Sequence, residues 1–282
     1  MKKITLAKNT GFCFGVRRAI QLAKSTAKKY NNKKQIFMLG DIVHNPWVVN
    51  EIKKTGIKKI NELKTPGAKI LIIRAHGAGK NIYKKAKKLG YTIIDATCPM
   101  VKEIQSIAQR YENKKYKIII IGDCQHDEVK GIQGNLKTNP LVISPAKKIP
   151  CAKFKNINRA VVLVQSTQNL DTVKKIVEKI KKFIPNFVFI NTICYPTKQR
   201  QKEIEKMAHT QDMMVIIGAK SSANTKRLYE LSKTINPYTF WINSKRGLKK
   251  EWFLNKNKIG MAAGASTPDY IIHEIQEYIR NF

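Results

Sequence analysis

Residues 91–111 read YTIIDATCPMVKEIQSIAQRY and place two structural patterns side by side, separated by a short turn that contains Cys98. The apolar run YTIIDA is typical of a buried strand, whereas PMVKEIQSIAQRY is amphipathic and typical of a helix. Pro99 suits the first turn of that helix, where its missing N–H leaves no hydrogen bond unmade. A strand followed directly by a helix predicts a parallel α/β sheet.

The same strand-then-helix pattern recurs along the whole chain. KITLA precedes GVRRAIQLAKSTAKKY, a segment whose apolar residues repeat at the spacing of one helical face. The other predicted strands are QIFML, KILIIRA, KIIIIG, AVVLVQ, FVFINTI, MMVIIGA, TFWIN and IGMAAGA. The sequence shows no long linker and no short-period repeat, and the stretch around residues 135–158 has the weakest pattern. The chain is therefore predicted to be an α/β protein with mostly parallel sheets.

Composition predicts an ordinary globular protein of the cytoplasm. Of the 282 residues, 43% are hydrophobic and 26% are charged. No apolar run reaches the roughly 18 residues that a membrane span needs, and no apolar signal-peptide core follows the first lysines. In the cytoplasm the five cysteines should be reduced, metal-bound or catalytic rather than paired in disulfides.

The chain is strongly basic, with 54 Lys and Arg against 19 Asp and Glu and a formal charge of +35. That charge leaves a nucleic-acid-binding protein open as an alternative. However, the lysines are scattered, and no basic motif interleaved with aromatic residues is present. We therefore expect no nucleic-acid or membrane partner, and a basic surface that attracts anionic substrates and acidic proteins.

Polar and reactive residues follow the predicted strands, where ligands bind in open α/β sheets. The residues in these positions are Cys13, Asp41, His44, His76, Thr97, Cys98, His126, Glu128, Gln165, Ser166, Thr167, Cys194, Ser221, Ser222, Asn224, Ser266 and Thr267. The remaining histidines, His209 and His273, fall within helical patterns and are interpreted as surface or packing residues. The recurrence at strand after strand predicts a functional site.

Three of the cysteines, Cys13, Cys98 and Cys194, lie 85 and 96 residues apart at successive strand ends. No C-x-x-C motif is present, so zinc-ribbon and ferredoxin-type patterns are excluded. Three converging thiolates could hold a four-iron cluster and leave one iron open to a substrate oxygen. A zinc hydrolase with three cysteines and a histidine, and an enzyme with a cysteine nucleophile, remain open as alternatives.

The polar residues predict an acid and an anion site. Glu128 follows His126 closely and suits proton delivery if burial raises its pKa. Histidine, serine and asparagine donors near helix N-termini suit a phosphate-rich anion. Taken singly, the serines and threonines are more typical of helix N-caps, as in SSANTKRLYE and STPDYIIHE, and capping does not preclude contact with a ligand. No Walker or G-x-G-x-x-G motif follows a strand, so the sequence does not support nucleotide binding.

Nine motifs between about Thr10 and Pro268 are specific in combination: GFCFGVRRAI, DIVHN, RAHGAG, DATCPMVK, HDEVKGIQG, VQST, TICYPTKQRQ, KSSANTKRL and AGASTPD. By these motifs the chain resembles the 4-hydroxy-3-methylbut-2-enyl diphosphate reductase family. The resemblance implies three α/β units, arranged as a trefoil around a central iron–sulfur cluster. The units would span residues 14–97, residues 98–193, and residues 194–282 together with 1–13.

The resemblance also implies the site and its chemistry. Cys13, Cys98 and Cys194 would hold one 4Fe–4S cluster per chain, and Glu128 would be the catalytic proton donor. The implied substrate-binding residues are His44, His76, His126, Ser166, Thr167, Ser222, Asn224 and Ser266. Two electrons from a ferredoxin or flavodoxin would remove the allylic hydroxyl, giving isopentenyl and dimethylallyl diphosphates in the last step of the methylerythritol phosphate route. Ala223 stands where the family commonly has a serine, and Ser166 stands where a threonine is usual.

Overall fold

The computed structural model describes residues 2–30, 33–64 and 66–281. Within those ranges the strands are β1 (Lys3–Leu6), β2 (Ile36–Leu39), β3 (Lys58–Ile60), β4 (Ile70–Ile73), β5 (Thr92–Asp95), β6 (Lys117–Ile121), β7 (Leu141–Ile143), β8 (Arg159–Val164), β9 (Asn186–Phe189), β10 (Met213–Ile217), β11 (Thr239–Ile242) and β12 (Lys258–Ala263). The α-helices are α1 (Phe14–Tyr30), α2 (Pro46–Lys54), α3 (Lys80–Lys88), α4 (Pro99–Asn113), α5 (Asp127–Gln133), α6 (Leu170–Lys181), α7 (Tyr195–Thr210), α8 (Ala223–Ile235) and α9 (Asp269–Arg280). Short 3₁₀ helices lie at Cys151–Phe154, Lys245–Gly247 and Lys250–Phe253.

The strands form three parallel four-stranded sheets, which confirms the predicted α/β fold. Sheet 1 has the strand order β1-β12-β10-β11, sheet 2 the order β3-β2-β4-β5, and sheet 3 the order β7-β6-β8-β9. All pairings within the sheets are parallel. Strands β4 and β10 are buried and apolar at every residue, because helices cover both faces of such sheets.

The three sheets share one topology. In sheets 2 and 3 the strands follow one another along the chain, and the spatial order is second, first, third, fourth. In sheet 1 the first three strands are β10, β11 and β12, and the N-terminal strand β1 takes the place of the fourth. The chain is therefore built from three structural repeats. Their period is long and their sequence similarity is weak, so the sequence alone does not show them as a short-period repeat.

The chain divides into two compact units. The first comprises the described residues of Met1–Arg17, Val43–Glu51 and Tyr195–Phe282, and it contains sheet 1. The second comprises those of Arg18–Ile42 and Ile52–Cys194, and it contains sheets 2 and 3. The strands of each sheet fall within one of the three predicted segments, but the segment boundaries themselves stay a prediction.

Helices fix the strand ends by burying one face against each sheet. Helix α9 buries Ile271, Ile272, Ile275 and Ile279, which recur at helical spacing, in an apolar cluster with β10 and β12. Fully burying an isoleucine contributes about 1.5–3 kcal/mol, so this face alone anchors the helix. The loops that leave the carboxyl ends of the strands thereby start from rigid positions.

Two strands escaped prediction from the sequence, β3 and β7. Each has only three residues and lies at a sheet edge with one neighbouring strand. Lys58 and Lys59 of β3 are exposed, so the strand lacks the continuous apolar run of a central strand. The predicted helix start at Pro99 is confirmed, since Pro99 is the first residue of α4, and Pro46 begins α2 in the same way.

In the part of the chain that the structure describes, no helix combines the length and apolar character that crossing a bilayer requires.

Candidate functional site

The three predicted cluster cysteines occupy equivalent places in the repeat. Each lies after the fourth strand of its sheet and directly before the first residue of a helix: Cys13 before α1, Cys98 before α4 and Cys194 before α7. Each cysteine amide also donates to the carbonyl of the second residue after the third strand. The pairs are Cys13 with Ala265 at 3.1 Å, Cys98 with Ala75 at 2.9 Å and Cys194 with Ser166 at 3.0 Å. The same backbone hydrogen bond therefore holds a cysteine at the equivalent position of each of the three repeats.

The turns before two of these cysteines are fixed by side chains three residues upstream. Asp95 Oδ1 accepts from the Thr97 amide at 3.0 Å, and Asn191 Oδ1 accepts from the Ile193 amide at 3.2 Å. Burial alone would raise the pKa of Asp95, but the Lys102 ammonium and the Thr97 hydrogen bonds together lower it. Asp95 therefore stays ionised and continues to brace the turn that leads to Cys98.

The surroundings of the three thiols suit thiolate ligands. All three side chains are half-buried, and the first turns of α1, α4 and α7 contain no acidic residue. The positive end of a helix favours an anion, which for a cysteine is the thiolate that binds metal. Of the other cysteines, Cys124 is exposed in the turn after β6, and Cys151 packs against the apolar cluster of sheet 3.

Loops after the first strands repeat a second pattern. Gly40, Gly122 and Gly218 directly follow β2, β6 and β10, and their amides donate to the last carbonyl of the neighbouring second strand. Four residues after each glycine comes His44, His126 or Ser222. This G-x-x-x-[HS] spacing is a sequence signal of the repeat, and it was missed because the intervening residues differ.

Glu128 is a buried acid on the second unit. It lies in α5 with 1% of its surface exposed. Its Oε1 accepts from the Ser166 amide at 2.6 Å, and its Oε2 lies 2.6 Å from the Ser166 hydroxyl. Burial raises the pKa of Glu128 above its ordinary value, and the two bonds from Ser166 only partly oppose this effect. The carboxyl therefore has the burial that proton delivery needs, and its role as proton donor stays a prediction.

His126 is held in one tautomer beside that acid. It is the N-cap of α5, and its Nδ1 accepts from the Glu128 amide at 3.2 Å. A nitrogen that accepts carries no proton, so this geometry assigns the proton of the neutral ring to Nε2. The ring of His76 packs edge-on against it, with 5.4 Å between the ring centroids.

Contacts within the second unit hold the loops of sheets 2 and 3 together around these histidines. Arg74 Nη1 lies 2.8 Å from Asp127 Oδ2, and Asn135 Nδ2 donates to the Ala78 carbonyl at 2.9 Å. A Cβ on Gly79 would lie 2.8 Å from the Cα of Gly134, so this close approach of two backbones requires glycine.

These contacts connect the candidate site residues of the second unit to one another. In the order of the contacts they are Cys98, His76, His126, Glu128, Ser166 and Cys194. Thr167 extends this group at the next position. Its hydroxyl accepts from Gln165 Nε2 at 3.1 Å. In the repeat it occupies the same place after the third strand as His76 and Ser266.

On the first unit, Cys13, His44 and Ser266 share a loop cluster. The Ala265 carbonyl binds the Cys13 amide, and the next residue, Ser266, donates its hydroxyl to the His44 carbonyl at 3.4 Å. Asn45 Nδ2 donates to the Ser266 carbonyl at 2.7 Å and fixes the two loops. Asn45 was not among the predicted residues, because its partner is 221 residues away in sequence.

Ser222 and Asn224 stand at the start of α8 on the same unit. Ser222 is the N-cap and accepts from the Thr225 amide at 3.3 Å. Asn224 is 5% exposed, and within residues 2–30, 33–64 and 66–281 its Nδ2 has no hydrogen-bond partner. An unmet buried donor costs about 1–3 kcal/mol. A ligand oxygen at this helix N-terminus would remove that cost.

Comparison with known proteins shows likeness over nearly the full length. The family described as LytB protein matches residues 4–280. The chain is 38% identical over 279 residues to the 4-hydroxy-3-methylbut-2-enyl diphosphate reductase of Clostridioides difficile, with 99% of each chain covered. It is 36% identical over 283 residues to the enzyme of that name from Aquifex aeolicus, covering 99% of this chain and 96% of the relative.

Two solved structures are also similar. One, titled as the (E)-4-hydroxy-3-methyl-but-2-enyl diphosphate reductase that ends the non-mevalonate pathway, is 36% identical, with a TM-score of 0.71 and both chains fully covered. The other is the E-1-hydroxy-2-methyl-but-2-enyl-4-diphosphate reductase of Plasmodium falciparum, 31% identical with a TM-score of 0.88. The likeness covers 99% of this chain and 87% of that one.

Proposed function

The chain belongs to the LytB family, and from that premise we propose that it reduces 4-hydroxy-3-methylbut-2-enyl diphosphate to isopentenyl and dimethylallyl diphosphates, the last step of the non-mevalonate route. It is an oxidoreductase of isoprenoid synthesis. The observation that carries the proposal is the buried Glu128, whose carboxyl is hydrogen-bonded by the amide and hydroxyl of Ser166, beside two packed histidines. A site of this kind suits removal of a hydroxyl group as water.

We propose Cys13, Cys98 and Cys194 as the ligands of one 4Fe–4S cluster. Their support is the equivalent position of the three half-buried thiols, each directly before a helix whose first turn contains no acidic residue. Thiolates are the ligands that iron–sulfur clusters prefer. When bound, the cluster would supply two electrons and a Lewis-acidic iron.

Glu128 would hold the proton that leaves with the hydroxyl. The Ser166 amide donates to Oε1 and the Ser166 hydroxyl donates to Oε2 of the carboxylate; in the protonated acid, Oε1 stays the acceptor of the amide and the proton sits on Oε2, where the Ser166 oxygen can accept it. The proton can therefore pass to a substrate oxygen directly or through Ser166. His126 presents its Nε2–H as a neutral donor that orients the substrate without competing for that proton.

The diphosphate would be bound by Ser222, Asn224 and Ser266, with His44 and His76 near it. His126 would lie elsewhere around the substrate, and Thr167 beside Ser166. The unmet Asn224 amide and the N-terminus of α8 supply N–H donors for phosphate oxygens. Ala223 offers no hydroxyl at its position, so the hydroxyl groups at this helix start are those of Ser221, Ser222 and the fully buried Thr225.

We further propose a ferredoxin or flavodoxin as electron donor and the cytoplasm, where thiols stay reduced, as the location. The test is anaerobic purification, followed by Mössbauer spectroscopy with and without the diphosphate substrate. Iron and sulfide should copurify, and the spectrum should change when substrate binds. A colourless protein that contains zinc and hydrolyses its substrate would overturn the proposal.

Ser166→Ala should move the alkaline limb of the kcat profile to higher pH. The Ser166 hydroxyl lowers the pKa of Glu128, so its removal raises that pKa further, and the acid stays protonated to higher pH. The measurement is kcat against pH with a small-molecule reductant. Ser166→Thr keeps the hydroxyl and should retain the wild-type limb. A limb that stays in place or moves to lower pH in Ser166→Ala would contradict the pairing.

Asn224→Ala should weaken diphosphate binding. A hydrogen bond to a charged oxygen is worth about 1.5–3 kcal/mol, which corresponds to a rise in KM of roughly 10- to 100-fold. The inhibition constant of inorganic diphosphate should rise by a similar factor, whereas kcat at saturation should change little. Asn257→Ala, at an exposed asparagine of the same unit, is the control. Unchanged diphosphate affinity in Asn224→Ala would remove Asn224 from the site.

A further inference from the structure

Two aromatic side chains stand exposed directly after proposed cluster cysteines. Phe14 follows Cys13 and is 67% exposed, and Tyr195 follows Cys194 and is 69% exposed. Both are the first residue of a helix, at equivalent positions of the repeat, and both belong to the first unit. Large aromatic side chains placed in this way at a protein surface are typical of binding interfaces.

A short path through Arg200 connects the segments that carry Phe14 and Tyr195. Arg200 of α7 donates from Nη2 to the Gly11 carbonyl at 2.7 Å, which ties the loop before Phe14 to the helix that Tyr195 begins. The path between the two rings therefore consists of five helical residues, about 7.5 Å, the Arg200 side chain with its hydrogen bond, and three residues that span at most about 10 Å. Both rings therefore fit under the footprint of one small protein, about 800 Å² per partner.

The surroundings of the two rings are basic. Exposed Arg17 lies one helical turn after Phe14, and half-exposed Lys198 lies one turn after Tyr195. Neither first turn contains an acidic residue, so the positive helix ends add to this charge. Of the carboxylates that face the intervening loop, Glu203 is engaged by the backbone N–H groups of that loop, and Asp269 packs against Gly11.

We propose that Phe14 and Tyr195, with Arg17 and Lys198 around them, form the docking surface for an acidic one-electron carrier protein. The inference rests on the proposed function, since it takes the adjacent Cys13 and Cys194 to be cluster ligands. Each turnover consumes two electrons and two protons and releases water, so a one-electron carrier must dock, be oxidised and leave twice. An aromatic centre with a charged rim suits such repeated, salt-sensitive binding.

The test is a Phe14→Ala/Tyr195→Ala double variant, with Leu254→Ala, also 69% exposed on the same unit, as the matched control. The dissociation constant for a purified acidic ferredoxin is measured by calorimetry at low and high salt. We expect it to rise at least about 10-fold in the double variant and not in the control. Cluster absorbance and turnover with dithionite and methyl viologen should stay at wild-type levels.

Charge reversal supplies an independent measurement that does not depend on the aromatic variants folding. Arg17→Glu should weaken ferredoxin binding at low salt and lose this effect at high salt, whereas Lys249→Glu, at an exposed lysine elsewhere on the unit, should not. Unchanged ferredoxin affinity in both the double variant and Arg17→Glu would overturn the docking surface. Wild-type protein that is inactive with the small reductant would instead refute the proposed function, which is a separate result.

Discussion

Glu128→Gln is expected to bind cluster and substrate normally and to lose about 10²–10⁴-fold in turnover, the usual contribution of a positioned general acid. Glutamine has nearly the same shape as glutamate. Its amide oxygen can accept from the Ser166 amide, and its amide NH₂ can bind the Ser166 hydroxyl. It has no acidic proton to transfer, so the leaving hydroxyl must depart without protonation by this residue. The loss should therefore appear in kcat rather than in KM.

The measurement compares kcat, KM and the iron content of Glu128→Gln with those of Glu112→Gln. Glu112 is a half-exposed glutamate outside the candidate site. Its slight burial raises its pKa, but hydrogen bonds from Lys137 and Thr138 outweigh this effect and lower the pKa. It lies on the same unit, and turnover of its variant should stay within about twofold of wild type. A wild-type rate in Glu128→Gln would show that another group supplies the proton.

Stability against pH gives the same variant a second, independent readout. Because the folded protein raises the pKa of Glu128, folding favours the neutral carboxyl. Its contribution to the free energy of unfolding is present below the unfolded pKa and is lost as pH rises through the folded pKa. The Tm of Glu128→Gln, relative to wild type, should therefore increase as the pH rises from the unfolded pKa of a glutamate through the raised folded pKa of Glu128. A constant difference would mean that Glu128 ionises as freely in the folded protein as in the unfolded chain.

The central strands could be predicted from the sequence because burial on both faces leaves an unmistakable apolar run. β4 and β10 are uninterrupted ILII and MMVII, and each ends next to residues of the candidate site. The edge strands β3 and β7 could not, since three residues with one neighbour carry too little pattern. The threefold repeat was equally hidden, because β1 completes sheet 1 from the opposite end of the chain.

The site residues could be named from their strand-end positions and from motifs, but their partners could not. The bond between Glu128 and Ser166 joins residues 38 apart, and Asn45 reaches Ser266 across 221 residues. Neither pairing leaves a local pattern of spacing. The sequence indicated which types of residue stand at the site. The raised pKa of Glu128 and the tautomer of His126 follow only from burial and hydrogen bonding in the folded structure.

The largest effect is expected when one cluster ligand is removed. Iron and sulfide content should fall below about one tenth of wild type in each of Cys13→Ser, Cys98→Ser and Cys194→Ser, and activity should fall in parallel. Removing a residue that only hydrogen-bonds a metal ligand already lowers metal affinity about 10- to 100-fold, and removing the ligand itself should lower it more. Serine keeps the backbone amide that binds the third-strand loop, so helix content should persist in circular dichroism. Loss of cluster can then be distinguished from loss of fold.

Cys124→Ser and Cys151→Ser are the matched controls, because they make the same chemical change outside the helix-start positions. Both should keep full iron content and turnover. If the cluster survived in Cys98→Ser but was lost in Cys124→Ser, the ligand assignment would be wrong. If alkylation of Cys13 abolished activity while iron remained bound, Cys13 would be a nucleophile instead, because a thiol that holds iron cannot be alkylated without releasing it.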